Sequence, residues 1–486
     1  VRFQDSPAFP GGKGRELTAH DVIYSWKRVA DPASLADSYW IFQNKIVGLD
    51  EWRDKISKKQ VDYSTPIEGL QAIDDHTLVV KLIKAQPQWV SGLALGAALI
   101  IPHEAVEHYG SEFGSHPVGT GPFQIESWIR GSRLTLVKNP NYREDLYPSE
   151  ASEELKDEGY LQDAGKKMPF VDKVVISEIA PEQPRWLLLL KGDLDFLMVS
   201  KDYISDYVFK GKITPKYAAK GMALQLVAAT DVTYISFNTE NPYLKNKKLR
   251  QALSLAYDHN TSLEKFYNFL AVPAHGPIPP NLAGYRKDFK NPQVGFDLER
   301  AKKLLAEAGY PGGKGLPEFH YEMASNHATA RQMSEFFKQQ MGLIGVKISL
   351  TSNTWPQFRD KIKLKKADIF EMAWNADYPD AENFFQLFYS PNLSPGTNNS
   401  NFNNKAFDAL YEKAILLPMG PERVALYEKM EDLLAEESPW VPAMHRQRTF
   451  AYHSWLKNYQ AEMMIPDTLK YLRIDTTARA KSKKTL

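Results

Sequence analysis

"YISFNTENPYLKNKKLRQALSLAYD", residues 234–258, changes its periodicity halfway along. The opening, with Thr233 before it, reads as a strand of aromatic and β-branched residues. The "KKLRQALSLAYD" that closes it reads as a helix, with Leu249, Ala252, Leu253 and Ala256 on one side. The same alternation continues downstream. "FDLERAKKLLAEAGYPGG" (296–313) is a helix capped by Asp297, striped by Ala301, Leu304, Leu305 and Ala308, and stopped by Gly309 and Pro311. A helix around Met333–Met341, the strand "GVKISL" and helices near 406–416 and 422–435 follow. Strands alternating with helices make this half an α/β domain.

Upstream, "LTAHDVIYSWKRVADP" (17–32) is a helix capped by Thr18 with Asp21, buried through Val22, Trp26 and Val29, and ended by Pro32. "HTLVVKLI" is a strand. "GTGPFQIESWIRGSRLTLVKNPNYR" (119–143) reads as a glycine-marked turn and a hairpin closed at Asn139–Pro140. A polar, acid-rich segment, 143–169, reads as a surface insertion before the strand "FVDKVVISEI" and the helix "PRWLLLLKGDLDF".

The chain has 486 residues, enough for two or three domains. Its 60 Lys+Arg balance 59 Asp+Glu, so no basic excess favours nucleic acid. With no cysteine, disulfides, thiolate metal sites and cysteine nucleophiles are excluded. The longest apolar run, "WVSGLALGAALII" (89–101), falls short of the ~20 residues that span a bilayer and reads as buried. "HEAVEH" (103–108) sets its histidines at i and i+5, about 140° apart on a helix, which is wrong for a zinc site. "GGKG" at Gly11 and Gly312 lacks the Ser or Thr of a phosphate loop, and no G-x-S-x-G elbow occurs. The expectation is no catalytic residue, no metal and no cofactor.

One stretch remains. "WNADYPDAENFFQLFYS" (374–390) holds six aromatic rings, three acids and no lysine or arginine. Phe384 and Phe385 read as core. Asp377, between Trp374 and Tyr378, is a carboxylate partly removed from water that requires a cation. A ligand ammonium or a distant Lys or Arg could supply it.

These blocks together resemble the extracytoplasmic solute-binding proteins of the oligopeptide and dipeptide ABC-importer family, family 5. The early helix, "PVGTGPFQIESW…NPNY", residues 234–258 with "GPIPP", residues 296–313 and residues 374–390 occur in the family's order. The resemblance implies an α/β, two-lobed periplasmic-binding-protein-like fold with hinge-connected lobes. It places a small N-terminal subdomain at 1–112, lobe one at 113–231 with 450–486, and lobe two at 232–449. The N-terminal part of lobe one is expected to be absent, the native product beginning upstream with an export signal. The function implied is a periplasmic or cell-surface receptor, a monomer and not an enzyme. It captures oligopeptides in an interlobe cleft and passes them to a membrane permease. Asp377 would hold the peptide's amino terminus, with Trp355 and Trp374 lining side-chain pockets. Tyr378, Ala373, Asn375 and Glu371 complete the expected ligand-binding set.

At three positions where some relatives carry basic residues for the peptide carboxylate, this chain has Thr329, Ile362 and Glu371, with only His327, Lys361 and Lys363 near in sequence. No carboxylate anchor is therefore expected in lobe two, and Glu371 is expected to favour a basic side chain, or to pair with a surface lysine. The rivals are a sugar receptor using Trp355 and Trp374, and a hydrolase pairing Asp377 with Asp380. Hinges are expected near 232–234 and 448–452. Ligand should then reduce the radius of gyration in solution scattering, and an unchanged curve with a verified ligand would argue for a rigid receptor.

Overall fold

The computed structural model describes residues 1–486 except 37, 268–269, 326–327, 462–463, 465–467 and 484–486; His327 thus lies outside the described residues. The chain divides into two compact units. One comprises Val1–Ala85, Trp89–Gln225 and Thr449–Leu486, the other Gln86–Gln88 and Leu226–Arg448.

The first unit opens with α1 (Ala19–Ala30), where Thr18 and Asp21 form the expected capping box, the Asp21 carboxylate accepting the Thr18 N–H at 2.8 Å. Trp26 is buried with Val22 and Val29 beside it, in a cluster with Phe42, Trp52 and Trp89. Around it lie α2 (Leu49–Ser57) and the antiparallel pair β1 (Leu70–Asp74) and β2 (Thr77–Val80). The apolar run 89–101 is only partly buried. Trp89 and Ala98 join the core, while Val90 and Leu99 are each 67% exposed, because the run breaks into two short turns and not one packed element. Glu104 of the rejected zinc motif binds Arg15 at 2.9 Å.

The hairpin forms between β3 (Phe123–Ile129) and β4 (Arg133–Lys138), with β5 (Lys173–Ser177) added alongside. It reverses at Gly131, whose φ of 71° suits glycine. Asn139 pins the open end instead, donating its side-chain amide to the Gly121 carbonyl at 2.8 Å. Then come α3 (Glu182–Leu190) and β6 (Phe196–Met198), and Trp186 centres a cluster with Tyr207 and Tyr217. Further on, strand β7 (Met222–Ala228) contains the boundary between Gln225 and Leu226.

The second unit is built on β8 (Asp231–Phe237), whose seven residues are all buried. In chain order follow α4 (Lys247–Leu255), α5 (His259–Tyr267), β9 (Ala271–Pro273), α6 (Leu298–Glu307) and β10 (Phe319–Met323). The unit continues with α7 (Ala328–Gly342), β11 (Ile348–Ser352), α8 (Trp355–Lys363), β12 (Ile369–Asn375), α9 (Lys405–Ala414), α10 (Pro421–Glu437) and β13 (Trp440–His453), the last as far as Arg448. The sheet order is β9-β13-β8-β12-β10-β11, antiparallel from β9 to β12 and parallel beyond. The expected helices form. Asp297 caps α6 by accepting the Arg300 N–H at 2.9 Å, and Ala301 and Leu305 enter the core with Phe237, Leu249, Leu253 and Phe337.

Candidate functional site

Strand β12 carries the residues to the site. Its register against β8 runs from Phe237↔Ile369 to Asp231↔Asn375. Side chains alternate across the pleat, so Glu371, Ala373 and Asn375 point to one face and Met372 and Trp374 to the other. The expected set is therefore divided between two faces. On the other side of β12, β10 pairs only with Ile369 and Phe370. From Glu371 to Asn375 one edge of β12 has no strand partner among the described residues, leaving main-chain donors and acceptors along it.

Beyond Asn375 the chain leaves the ladder with a last bond, Ala376 N–H to the Thr230 carbonyl at 2.8 Å. Asn383, fully buried in a short helical turn, organises the loop that follows. Its side-chain oxygen accepts from Trp374 Nε1 at 2.8 Å and from the Asp377 N–H at 3.0 Å, and its nitrogen donates to Asp377 Oδ2 at 3.0 Å.

The three acids of the stretch now separate. Asp380 is buried and bound to Arg423 Nη2 at 2.9 Å, to Tyr427 Oη at 2.7 Å and to the Glu382 N–H at 2.9 Å. Glu382 accepts from the hydroxyls of Tyr378 and Tyr411. Asp377 has the neutral amide of Asn383, and no lysine or arginine pairs with it among the described residues. Burial pushes its carboxyl above the usual carboxylate range, and Asn383 only partly offsets this. The distant arginine anticipated for Asp377 belongs to Asp380. The same pairing removes the second free acid that a hydrolase would need.

Tyr378 is half-buried with its hydroxyl engaged by Glu382. Trp355 opens α8, is 52% exposed and stacks on Phe358 at 5.7 Å. Phe358 and Ile362 of the same helix pack on Phe370, with Met372 against them, so Trp355 belongs to the Trp374 side of the sheet. Ile362 is thus a core residue. Lys361 is held by Glu322 Oε2 at 2.7 Å, so neither is turned toward a ligand carboxylate.

Glu371, on the opposite face, pairs with no lysine among the described residues. Its charge is felt by the buried hydroxyls of Tyr257, Tyr267 and Tyr321, and burial raises its carboxyl to about 7, with Arg446 pulling the other way. A carboxyl raised in the fold contributes stability below its unfolded value of 4.5, and that contribution is lost as pH rises through about 7. Glu371→Gln should match the wild type near pH 4 and be more stable at pH 8, by about 1–3 kcal/mol. Melting curves at the two pH values check this; parallel curves would show that Glu371 stays ionised throughout.

Sequence reasoning missed Asn383, which lay in the quoted stretch six residues after Asp377, and the group Asp231, Arg446 and Arg448. The signal for the arginines was their i, i+2 spacing in "HRQRT", which places both on one face of a strand.

The family pattern described as "Bacterial extracellular solute-binding proteins, family 5 Middle" matches residues 12–395. The chain belongs to this family. A family 5 protein is a substrate-binding receptor of an ABC importer, binding its solute outside the cytoplasm and delivering it to a permease. Among its relatives, Heme-binding protein A of Haemophilus influenzae is 26% identical, over 92% of this chain and 74% of that protein. Glutathione-binding protein GsiB of Escherichia coli is 26% identical, over 96% of this chain and 80% of that protein. These relatives are binding proteins. The periplasmic binding protein DppA from Helicobacter pylori, solved in complex with the peptide STSA, superimposes with a TM-score of 0.70 at 21% identity, covering 98% of this chain and 85% of that one. The fold is accordingly the two-lobed α/β fold of periplasmic binding proteins. Among the described residues no helix is long and apolar enough to cross a membrane, and no cluster of three His, Asp or Glu is placed to hold a metal.

Proposed function

We propose that this family 5 receptor binds short peptides through their free amino terminus. The observation that carries the reading is Asp377, a half-buried carboxylate oriented by Asn383 and given no cation by the described residues. An ammonium from the ligand supplies the missing charge. The unpartnered edge of β12 from Glu371 through Ala373 to Asn375 ends beside it, and its free main-chain groups can hydrogen-bond the first peptide bonds of a ligand, whatever its sequence. Trp374, tied to the same asparagine, and Trp355 supply apolar surface for side chains. Peptide and glutathione, the ligands for which DppA and GsiB are described, both carry a free amine, which fits this reading better than a sugar.

The receptor is proposed to act as a monomer that hands its peptide to the permease. Calorimetry with amino-free tripeptides and with an oligosaccharide is the test. Saturable binding of peptide alone is expected, whereas saturable binding of the sugar alone would overturn the reading in favour of aromatic stacking on Trp355 and Trp374.

A further inference from the structure

Arg446 and Arg448 stand two residues apart on β13, so both project from the same face. One carboxylate serves the pair. Asp231, fully buried, accepts from Arg446 Nε and Nη2 at 2.6 Å each and from the Arg446 N–H at 3.1 Å, and it lies 3.9 Å from Arg448 Nη2. Arg446 adds a 3.4 Å contact to Asn375 Oδ1. Arg448 is not satisfied. Its Nε is buried without a hydrogen-bond partner, and its one carboxylate neighbour among the described residues is beyond hydrogen-bond reach. Two guanidinium groups therefore share Asp231 as their one close carboxylate among the described residues. Leaving a half-buried guanidinium short of partners is unfavourable, and its planar fork matches a carboxylate.

We propose that Arg448, assisted by Arg446, receives a carboxylate of the ligand. This rests on the reading of Asp377 as the amine site and adds a second fixed point to it. Arg446, Asp231 and Asn375 lie on the neighbouring strands β13, β8 and β12, and Asp377 follows Asn375 by two residues. Two strand spacings are roughly 10 Å, which about three extended residues span. The occupant is a short ligand with an amine at one end and a carboxylate about three residues along, either a peptide C-terminus or an acidic side chain. The sequence expectation of no carboxylate anchor rested on Thr329, Ile362 and Glu371. It did not consider β13, whose basic residues reach this face only through the sheet register.

Calorimetry with Ala-Ala-Ala, its C-terminal amide and the amide of Ala-Glu-Ala separates the two carboxylate sources. Wild type should bind the free acid at least tenfold more tightly than the Ala-Ala-Ala amide if the C-terminus is recognised. It should bind Ala-Glu-Ala amide at least tenfold more tightly than Ala-Ala-Ala amide if a side chain is. Arg448→Gln should abolish whichever preference exists, Arg448→Lys should retain part of it, and Asp377→Asn should weaken every peptide while leaving the preference in place. Equal wild-type affinity for all three peptides, or a preference untouched by Arg448→Gln, overturns the proposal. If no peptide binds, the peptide reading fails and the subsite is judged on its own. Succinate titrated against wild type should shift the Arg448 Nε–Hε resonance by NMR, and a resonance unmoved at high succinate overturns the subsite.

Discussion

N-acetylation of an otherwise identical peptide is expected to weaken binding by two orders of magnitude or more. The pair at issue is the Asp377 carboxylate and the ligand ammonium, both largely removed from water when bound. Breaking such a pair from one side costs about 3–5 kcal/mol, because the remaining charge stays buried without a partner. That corresponds to roughly a hundred- to several-thousand-fold in Kd. Asp377→Asn should lose a similar amount for free peptides and lose its sensitivity to acetylation. The asparagine can still accept from Asn383, so the loop geometry survives the change. The free receptor holds Asp377 above the ordinary carboxylate range, and the ligand ammonium favours its ionised form. Affinity should therefore fall as pH is lowered through that raised range. Calorimetry on the four combinations of peptide and protein measures the coupling directly, and equal affinity of acetylated and free peptides would remove Asp377 from amine recognition.

Removal of the Arg423 side chain should be among the most destabilising single changes in the second unit. Arg423 is 1% exposed and its Nη2 lies 2.9 Å from Asp380 Oδ2. Arg423→Leu would leave the Asp380 carboxylate buried with only Tyr427 and the Glu382 N–H, at a cost of about 3–5 kcal/mol. The double variant Arg423→Leu, Asp380→Asn should recover much of the loss, because no uncompensated charge remains. Thermal and urea unfolding of wild type and both variants test this. A loss below about 1 kcal/mol would mean that Asp380 finds water or another partner. Peptide affinity should fall in the single variant too, since Asp380 anchors the loop from which Asp377 projects.

Much of this molecule is determined by its sequence alone, for a local reason. The strand at Tyr234, the helix with Leu249 and Leu253 inward and the Asp297 cap follow from side-chain period and capping chemistry. Those act over at most four or five residues. Even the division of Glu371 from Trp374 follows from parity along one strand. The resemblance carried by five blocks extended this to the two-lobed fold.

Which acid lacks a partner was decided elsewhere. Its flanking rings single out Asp377 in the sequence, but nothing local says what partners Asp380 and Glu382 have. Tertiary packing gives Asp380 an arginine 43 residues away and Glu382 a tyrosine 29 residues away, leaving Asp377 with an amide. Arg446 and Arg448 meet Asp231 across more than 200 residues because β13 lies beside β8. Charge pairing of this kind depends on distance in space and on desolvation, and neither is a property of neighbouring letters. Sequence determined the elements and singled out the carboxylate; only the tertiary structure decided which charges within the described fold lack a partner.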